Sequence, residues 1–225
     1  MINLNGYIEH TLLDPTASQK DIIKLCKEAK EYGFHAVCVH PSHVILAKRT
    51  LENTNVRVVT VVGFPLGATK IEVKAYEAAT AIREGADEID MVLNIGALKE
   101  KNYDYVVKEL KTLRRATTRQ KILKVIIETD LLTKEEIVKA TEFATLAGAD
   151  FVKTSTGFVK DGKGATPENV KLMLESGAAK GIRVKASGGI STASSAEKMI
   201  KAGASRIGTS HAKKFTKKIK KASKK

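Results

Sequence analysis

Short β-branched apolar runs alternate along this chain with longer stretches of helical periodicity. The runs Tyr7–His10, Ala36–Val39, Val56–Val62, Glu88–Leu93, Ile122–Ile127, Phe151–Lys153, Arg183–Ala186 and Arg206–Gly208 read as strands. The segments Gln19–Tyr32, His43–Leu51, Ile71–Glu84, Tyr103–Thr117, Lys134–Ala147, Pro167–Glu175, Thr192–Ala202 and Ala212–Lys221 read as helices. A weak repeat marks the joints: Gly85-Ala86-Asp87, Gly148-Ala149-Asp150 and Gly203-Ala204-Ser205 each stand between a helix and a strand, and Gly33 holds the same place earlier. Glycine suits the left-handed residue that ends a helix. Eight βα units in order predict a single (β/α)8 TIM barrel over residues 1–212. The competing open, doubly wound sheet would carry a GxGxxG turn after its first strand, and none is there.

Side chains on a strand alternate between its two faces. In Ile122–Ile127 this turns Val125 and Ile127 toward the helices, and Lys124, Ile126 and then Glu128 toward the barrel interior. The same count points Asp90, Lys153 and Lys185 inward and Ile89, Met91, Val152 and Val184 outward. Three lysines and one aspartate thus share the volume near the strand C-termini, where barrels carry their chemistry. A charge in a core is costly unless paired, and one carboxylate cannot balance three ammonium groups. At about 5 Å and an effective dielectric of about 20, two ammonium groups repel by roughly 3 kcal/mol, or about two pKa units. Burial works in the same direction. The pattern predicts that Lys153 acts as an uncharged nucleophile and forms a Schiff base with an aldehyde or ketone. Lys185 stays protonated beside it, and Asp90 holds Lys185 or shuttles protons.

Glycines cluster at the ends of the last two strands. Ser187-Gly188-Gly189 follows the seventh, and Gly208-Thr209-Ser210 ends the eighth and opens a helix. Glycine lets backbone N–H groups approach an anion, and barrels bind phosphate in these two loops. The pair points to a phosphorylated substrate.

Composition narrows the partners. The chain has 225 residues, 43% apolar and 28% charged, with a net charge of +14. Eight lysines lie in the last 13 residues, which leaves +6 over the first 212. Residues 213–225 read as a lysine-rich tail, the end of the last barrel helix, with Phe215, Ile219 and Ala222 on one face. A nucleic-acid-binding role for this tail lacks aromatic interleaving or a groove-reading motif. No apolar run approaches the ~20 residues that span a bilayer. The N-terminus has no basic region followed by an apolar stretch, so the expected location is the cytoplasm. Cys26 and Cys38 are too few for a disulfide scaffold. Barrels of this size commonly self-associate, so a homodimer is the expected assembly, although the sequence names no patch for it.

The segments IEHTLLDP (8–15), VCVHP (37–41), VVGFPLGA (61–68), EIDMVLNIGAL (88–98), LKVIIET (123–129), GADFVKTSTGF (148–158), VKASGGI (184–190) and RIGTS (206–210) cover nearly the whole chain. In these segments the chain resembles the deoxyribose-phosphate aldolase family, Schiff-base-forming class I aldolases on a (β/α)8 barrel. The resemblance implies reversible cleavage of 2-deoxy-D-ribose 5-phosphate to glyceraldehyde 3-phosphate and acetaldehyde. It assigns the Schiff base to Lys153 and proton transfer to Lys185 and Asp90. It makes Lys124, Cys38, Thr156, Gly157, Gly188, Gly189, Gly208, Thr209 and Ser210 substrate-binding, and it implies no metal or organic cofactor. Two positions depart from the family. His211 stands where many relatives have a second small residue after GTS. The last tyrosine is Tyr105, whereas some members use a C-terminal tyrosine in proton transfer.

Two other enzyme readings compete with this one. Cys38, His40 and His43 form a C-x-H-x-x-H run, but the spacing is not that of a standard zinc site and Pro41 interrupts it. A transaldolase-like lyase on a sugar phosphate would share the lysine chemistry but not the motif set.

Overall fold

A computed structural model describes residues 2–177 and 181–217. Its strands are β1 (Ile8–Leu12), β2 (Ala36–Val39), β3 (Arg57–Val62), β4 (Glu88–Val92), β5 (Ile122–Ile126), β6 (Phe151–Lys153), β7 (Arg183–Ser187) and β8 (Arg206–Thr209). Each pairs in parallel with the next, and β8 closes on β1 through Ile8 with Ile207 and His10 with Thr209. The helices are α1 (Gln19–Tyr32), α2 (Val44–Thr50), α3 (Ile71–Arg83), α4 (Ile95–Lys99), α5 (Tyr103–Thr117), α6 (Lys134–Leu146), α7 (Pro167–Gly177), α8 (Ala193–Lys201) and α9 (Ala212–Phe215). The (β/α)8 expectation holds, with element ends shifted by a residue or two.

Local chemistry explains the boundaries. Ser18 caps α1 in a capping box with Asp21, and Gly33, at φ 65°, ends it. Thr133 with Glu136 does the same at the start of α6. The buried face of α1 carries Ile22, Leu25, Cys26, Ala29 and Tyr32, three and four residues apart, so one stripe packs on the barrel.

Three expectations need correction. The first strand begins at Ile8 and runs on to Leu12, because its C-terminal half pairs with Cys38 and Val39 of β2. The short helix α4 went unforeseen; Asn94 caps it by accepting from the Ala97 N–H. The last helix ends at Phe215, because Thr216 turns to extended backbone. The predicted continuation to Lys221, with Ile219 and Ala222, lies outside the described residues. The boundary drawn at residue 212 falls inside α9. The start of the tail is held to the body: Lys213 Nζ lies 2.8 Å from Glu28 Oε1, and Asn5 Nδ2 donates to the Lys217 carbonyl at 2.8 Å.

The core has two unlike parts. Outward residues such as Val37, Val39, Ile89, Met91, Val125, Ile127, Val152, Val184 and Ile207 pack under the helices in one large apolar cluster. Burying each contributes roughly 1.5–3 kcal/mol. Inside the barrel the apolar group is small: Leu13, Ala36, Cys38, Val59 and Val61, on the β1–β3 side. The β4–β7 side of the interior is ionic. A further ion pair sits between barrel and helices. Lys74 of α3 meets Glu109 of α5 at 2.6 Å, both fully buried, and Lys74 Nζ also donates to the Val92 carbonyl at 2.8 Å.

Candidate active site

Register assembles the charged floor. Lys153 is the Cα partner of Lys185 across β6–β7, and Asp90 is the partner of Lys124 across β4–β5. Parallel partners on one face point the same way, so each pair projects into the interior together. Asp90 is the hub. Its Oδ2 accepts from Lys153 Nζ at 2.9 Å and from Lys185 Nζ at 2.6 Å, and its Oδ1 accepts from Lys124 Nζ at 2.9 Å.

The reading that Asp90 alone faces three lysines is wrong. Glu9 of β1 bonds Lys185 and lies 3.2 Å from Lys124, while Glu88 of β4 lies 2.6 Å from Lys124. Three carboxylates therefore face three lysines, and Glu88 is shared with Arg57 at 3.5 Å as well. Glu9 and Glu88 were legible by the same alternation that found Asp90. Glu88 stands two residues before it on the same face, and Glu9 stands between outward Ile8 and His10.

These contacts bias the charge states. Burial opposes the charge on Lys185, but Asp90 and Glu9 outweigh it and raise its pKa. Burial likewise opposes the charge on Lys124, yet Asp90, Glu9 and Glu88 hold its pKa well above the usual lysine value. For Asp90 burial acts to raise the pKa, and Lys124, Lys153 and Lys185 together drive it well below the carboxylate range. Asp90 and Glu9 thus favour the protonated form of Lys185.

Above the floor opens a cavity of about 510 Å³, a size that takes a small metabolite. Lys153, Thr156, Gly157, Gly188, Gly189, Gly208, Thr209 and Ser210 line it together. Asp14, Ser187 and His211 line it too; the sequence marks Ser187 as the start of the glycine loop after β7 and His211 as a departure from the family, but assigns Asp14 no role. Gly157, Gly188 and Gly189 have φ of 84°, 82° and 71°, which a residue with a Cβ adopts only under strain. His211 lies beside Ser210, with Nδ1 3.1 Å from Ser210 Oγ.

Lys124 and Cys38, which the family resemblance makes substrate-binding, lie away from the cavity wall, fully buried beneath it. Lys124 is engaged by three carboxylates, and burial pushes the Cys38 thiol pKa up. Asp90 and Lys185 are also fully buried, so of this cluster only Lys153 reaches the cavity. The C-x-H-x-x-H run does not converge: Cys38 points into the barrel, while His40 Nε2 sits 3.0 Å from the Leu13 carbonyl.

Glu128 follows β5 with φ 56°, in the left-handed region. Its carboxylate accepts from the Thr156 N–H at 3.1 Å and from the Thr156 hydroxyl. Burial raises its pKa, against the lowering effect of those hydrogen bonds. Thr154 Oγ1 donates to the Ser187 carbonyl at 2.9 Å, and Ser187 Oγ to the Ser155 carbonyl at 2.6 Å. The ends of β6 and β7 are thereby stitched together around Lys153.

A closed parallel barrel with a lysine reaching from an ionic floor into a glycine-rimmed cavity defines a barrel aldolase. Residues 8–215 match the DeoC/LacD family of aldolases, and the chain belongs to that family. Its relatives include the deoxyribose-phosphate aldolase of Clostridium novyi (strain NT), 54% identical over 209 residues, covering 93% of each chain. The deoxyribose-phosphate aldolase of Clostridium botulinum (strain Loch Maree / Type A3) is 56% identical over 209 residues, covering 93% of this chain and 97% of that one. Among solved structures, the tetrameric deoxyribose phosphate aldolase from Aeropyrum pernix superposes with a TM-score of 0.86 at 35% identity. That match covers 94% of this chain and 88% of that one. Family membership displaces the reading of the chain as a basic nucleic-acid-binding domain.

Proposed function

We propose that this aldolase reversibly cleaves 2-deoxy-D-ribose 5-phosphate to D-glyceraldehyde 3-phosphate and acetaldehyde through a Schiff base on Lys153. One observation carries the assignment: Lys153 alone of the three interior lysines reaches the cavity, while its nitrogen shares Asp90 Oδ2 with Lys185. Lys124 and Lys185 each have two or more carboxylate partners, whereas Lys153 has only its share of Asp90. Lys153 is the least compensated amine and the one free to act as nucleophile.

In the cleavage direction the unprotonated Lys153 amine attacks the C1 aldehyde of the open-chain sugar. The carbinolamine loses water and becomes a protonated imine. The C3 hydroxyl gives up its proton, the C2–C3 electron pair moves toward the imine, and glyceraldehyde 3-phosphate leaves. The remaining enamine takes a proton at C2, and water releases acetaldehyde and regenerates Lys153. Lys185 and Asp90 lie beneath the cavity, so their protons reach the substrate through Lys153 or a water. The phosphate is read into the loops of Gly188, Gly189, Gly208, Thr209 and Ser210, with Gly157 and Thr156 opposite.

The free cysteines Cys26 and Cys38 fit a reducing cytoplasm. A homodimer remains the expected assembly, to be read by light scattering on the purified protein. The chemistry is tested by borohydride reduction with acetaldehyde present, followed by peptide mass spectrometry. A two-carbon adduct is expected on Lys153, and Lys153→Leu should lose both adduct and turnover. An adduct on Lys124 or Lys185 instead would refute the assignment.

A further inference from the structure

The segment after β5, Glu128-Thr129-Asp130, grips the loop after β6 at two places. Near the strand, the Thr129 N–H donates to the Thr154 carbonyl at 2.8 Å, and Glu128 holds Thr156. At the far side, Asp130 Oδ1 accepts from the Lys163 N–H at 3.1 Å and Oδ2 from the Gly164 N–H at 2.8 Å. Both oxygens are used, one for each N–H.

The segment held by Asp130 lies directly against the glycine pair that lines the cavity. A Cβ on Gly164 would fall 2.4 Å from the Gly188 carbonyl, and one on Gly189 would fall 2.8 Å from the Lys163 carbonyl oxygen. The Ala165 N–H donates to the Gly188 carbonyl at 3.2 Å. Between Asp130 and the two glycines remains a space of only about 50 Å³. Gly188 and Gly189 have no side chains to fix their conformation. Their backbone is set by what packs behind it, and that is the strip from Lys163 to Ala165. A backbone anion site works only when its N–H groups are held in place before the anion arrives.

We propose that Asp130 is a positioning residue for the phosphate subsite, acting through Lys163 and Gly164 on the backbone of Gly188 and Gly189. It touches no substrate, and it stands apart from the Lys153–Asp90–Lys185 cluster. The inference rests on the phosphate reading above, and the experiment separates the two.

Wild type is first compared on 2-deoxyribose 5-phosphate and on 2-deoxyribose, and its inhibition by inorganic phosphate is measured. Asp130→Ala is then expected to raise KM for the phosphorylated sugar about tenfold while kcat changes by less than about twofold. Inhibition by inorganic phosphate should weaken by the same factor, and kcat/KM on unphosphorylated 2-deoxyribose should not move. Asp130→Asn, which keeps one carbonyl acceptor, should fall between. Equal loss on both sugars in either variant would mark a merely structural role and overturn the proposal, as would wild-type constants in Asp130→Ala. If Asp130→Ala does not fold, as read by its thermal melt, the same comparison on Asp130→Asn decides. A wild type that neither prefers the phosphorylated sugar nor responds to phosphate would sink the phosphate reading itself, and this inference with it.

Discussion

Lys153 and Lys185, register partners on adjacent strands, donate to a single oxygen of Asp90 at 2.9 and 2.6 Å. Lys185 is additionally held by Glu9, and Lys153 is not. Replacing Lys185 by Leu removes the protonated neighbour and leaves Lys153 as the only amine on that oxygen. Turnover should fall roughly 100-fold or more, in keeping with loss of a proton-transfer partner. The Lys153 adduct should still be trapped by borohydride, more slowly. Steady-state kinetics and mass spectrometry on one preparation check both halves.

Asp90 is the anion that three lysines share, so Asp90→Asn leaves buried ammonium groups short of a partner. The loss should be about 3 kcal/mol of stability at neutral pH, read by urea unfolding. The pH dependence has a definite sign. Asp90 and Glu88 have folded pKa values below their ordinary 3.8 and 4.5, because Lys124 above all outweighs their burial. Their stabilisation is present above those values and is lost as pH falls through the folded ones. Lys124 and Lys185 are raised above 10.5, so their share is present below 10.5 and is lost as pH rises through the folded values. Glu128, raised by burial, runs the other way and costs stability once pH passes 4.5. The acid-side decline in urea midpoint should be shallower in Asp90→Asn than in wild type.

Thr156 donates its hydroxyl proton to Glu128 and accepts from the Phe158 N–H at 3.1 Å. With that proton committed, the hydroxyl can only accept from whatever enters the cavity. Glu128→Ala frees Thr156 and should lower kcat about tenfold, whereas Glu128→Gln, which keeps an acceptor, should lose less. Kinetics on both variants decide. Equal effects would mean that the charge of Glu128 matters more than its hold on Thr156.

The pair Lys74–Glu109 is remote from the cavity and wholly buried. Burial lowers the Lys74 pKa and raises that of Glu109, each opposed by the partner's charge. Either single change, Lys74→Met or Glu109→Leu, should cost roughly 3–5 kcal/mol, and the double variant should regain most of it. Urea unfolding of the four proteins closes the cycle. The double variant should keep wild-type turnover.

The architecture was legible because alternation in the strands and capping at the helix starts agree along the chain. Lys153 and Lys185 were legible because a lysine flanked by Val152 or Val184 in a buried strand has one face to point to. Glu9 has the same inward phase between Ile8 and His10, but its strand shows no second charged position to mark it as part of a cluster. Glu88 escaped because a strand's first residue reads as a solvated end, whereas here it reaches up to Lys124. Cys38 and Lys124 show the opposite limit. Alternation gives the face but not the depth, and depth decides whether a side chain touches a ligand or supports one that does. The clamp from Asp130 to Lys163 and Gly164 spans more than 30 residues of chain and leaves no pattern in the sequence.

The pairing of Lys153 with Lys185 by register ties chemistry to folding. A one-residue slip between β6 and β7 would send one amine toward the helices and bury valine in its stead. A barrel seamed in any other alignment would therefore be inert even if compact and apolar inside. Recovery of turnover during refolding should thus report correct strand alignment, and should lag behind the regain of helical signal.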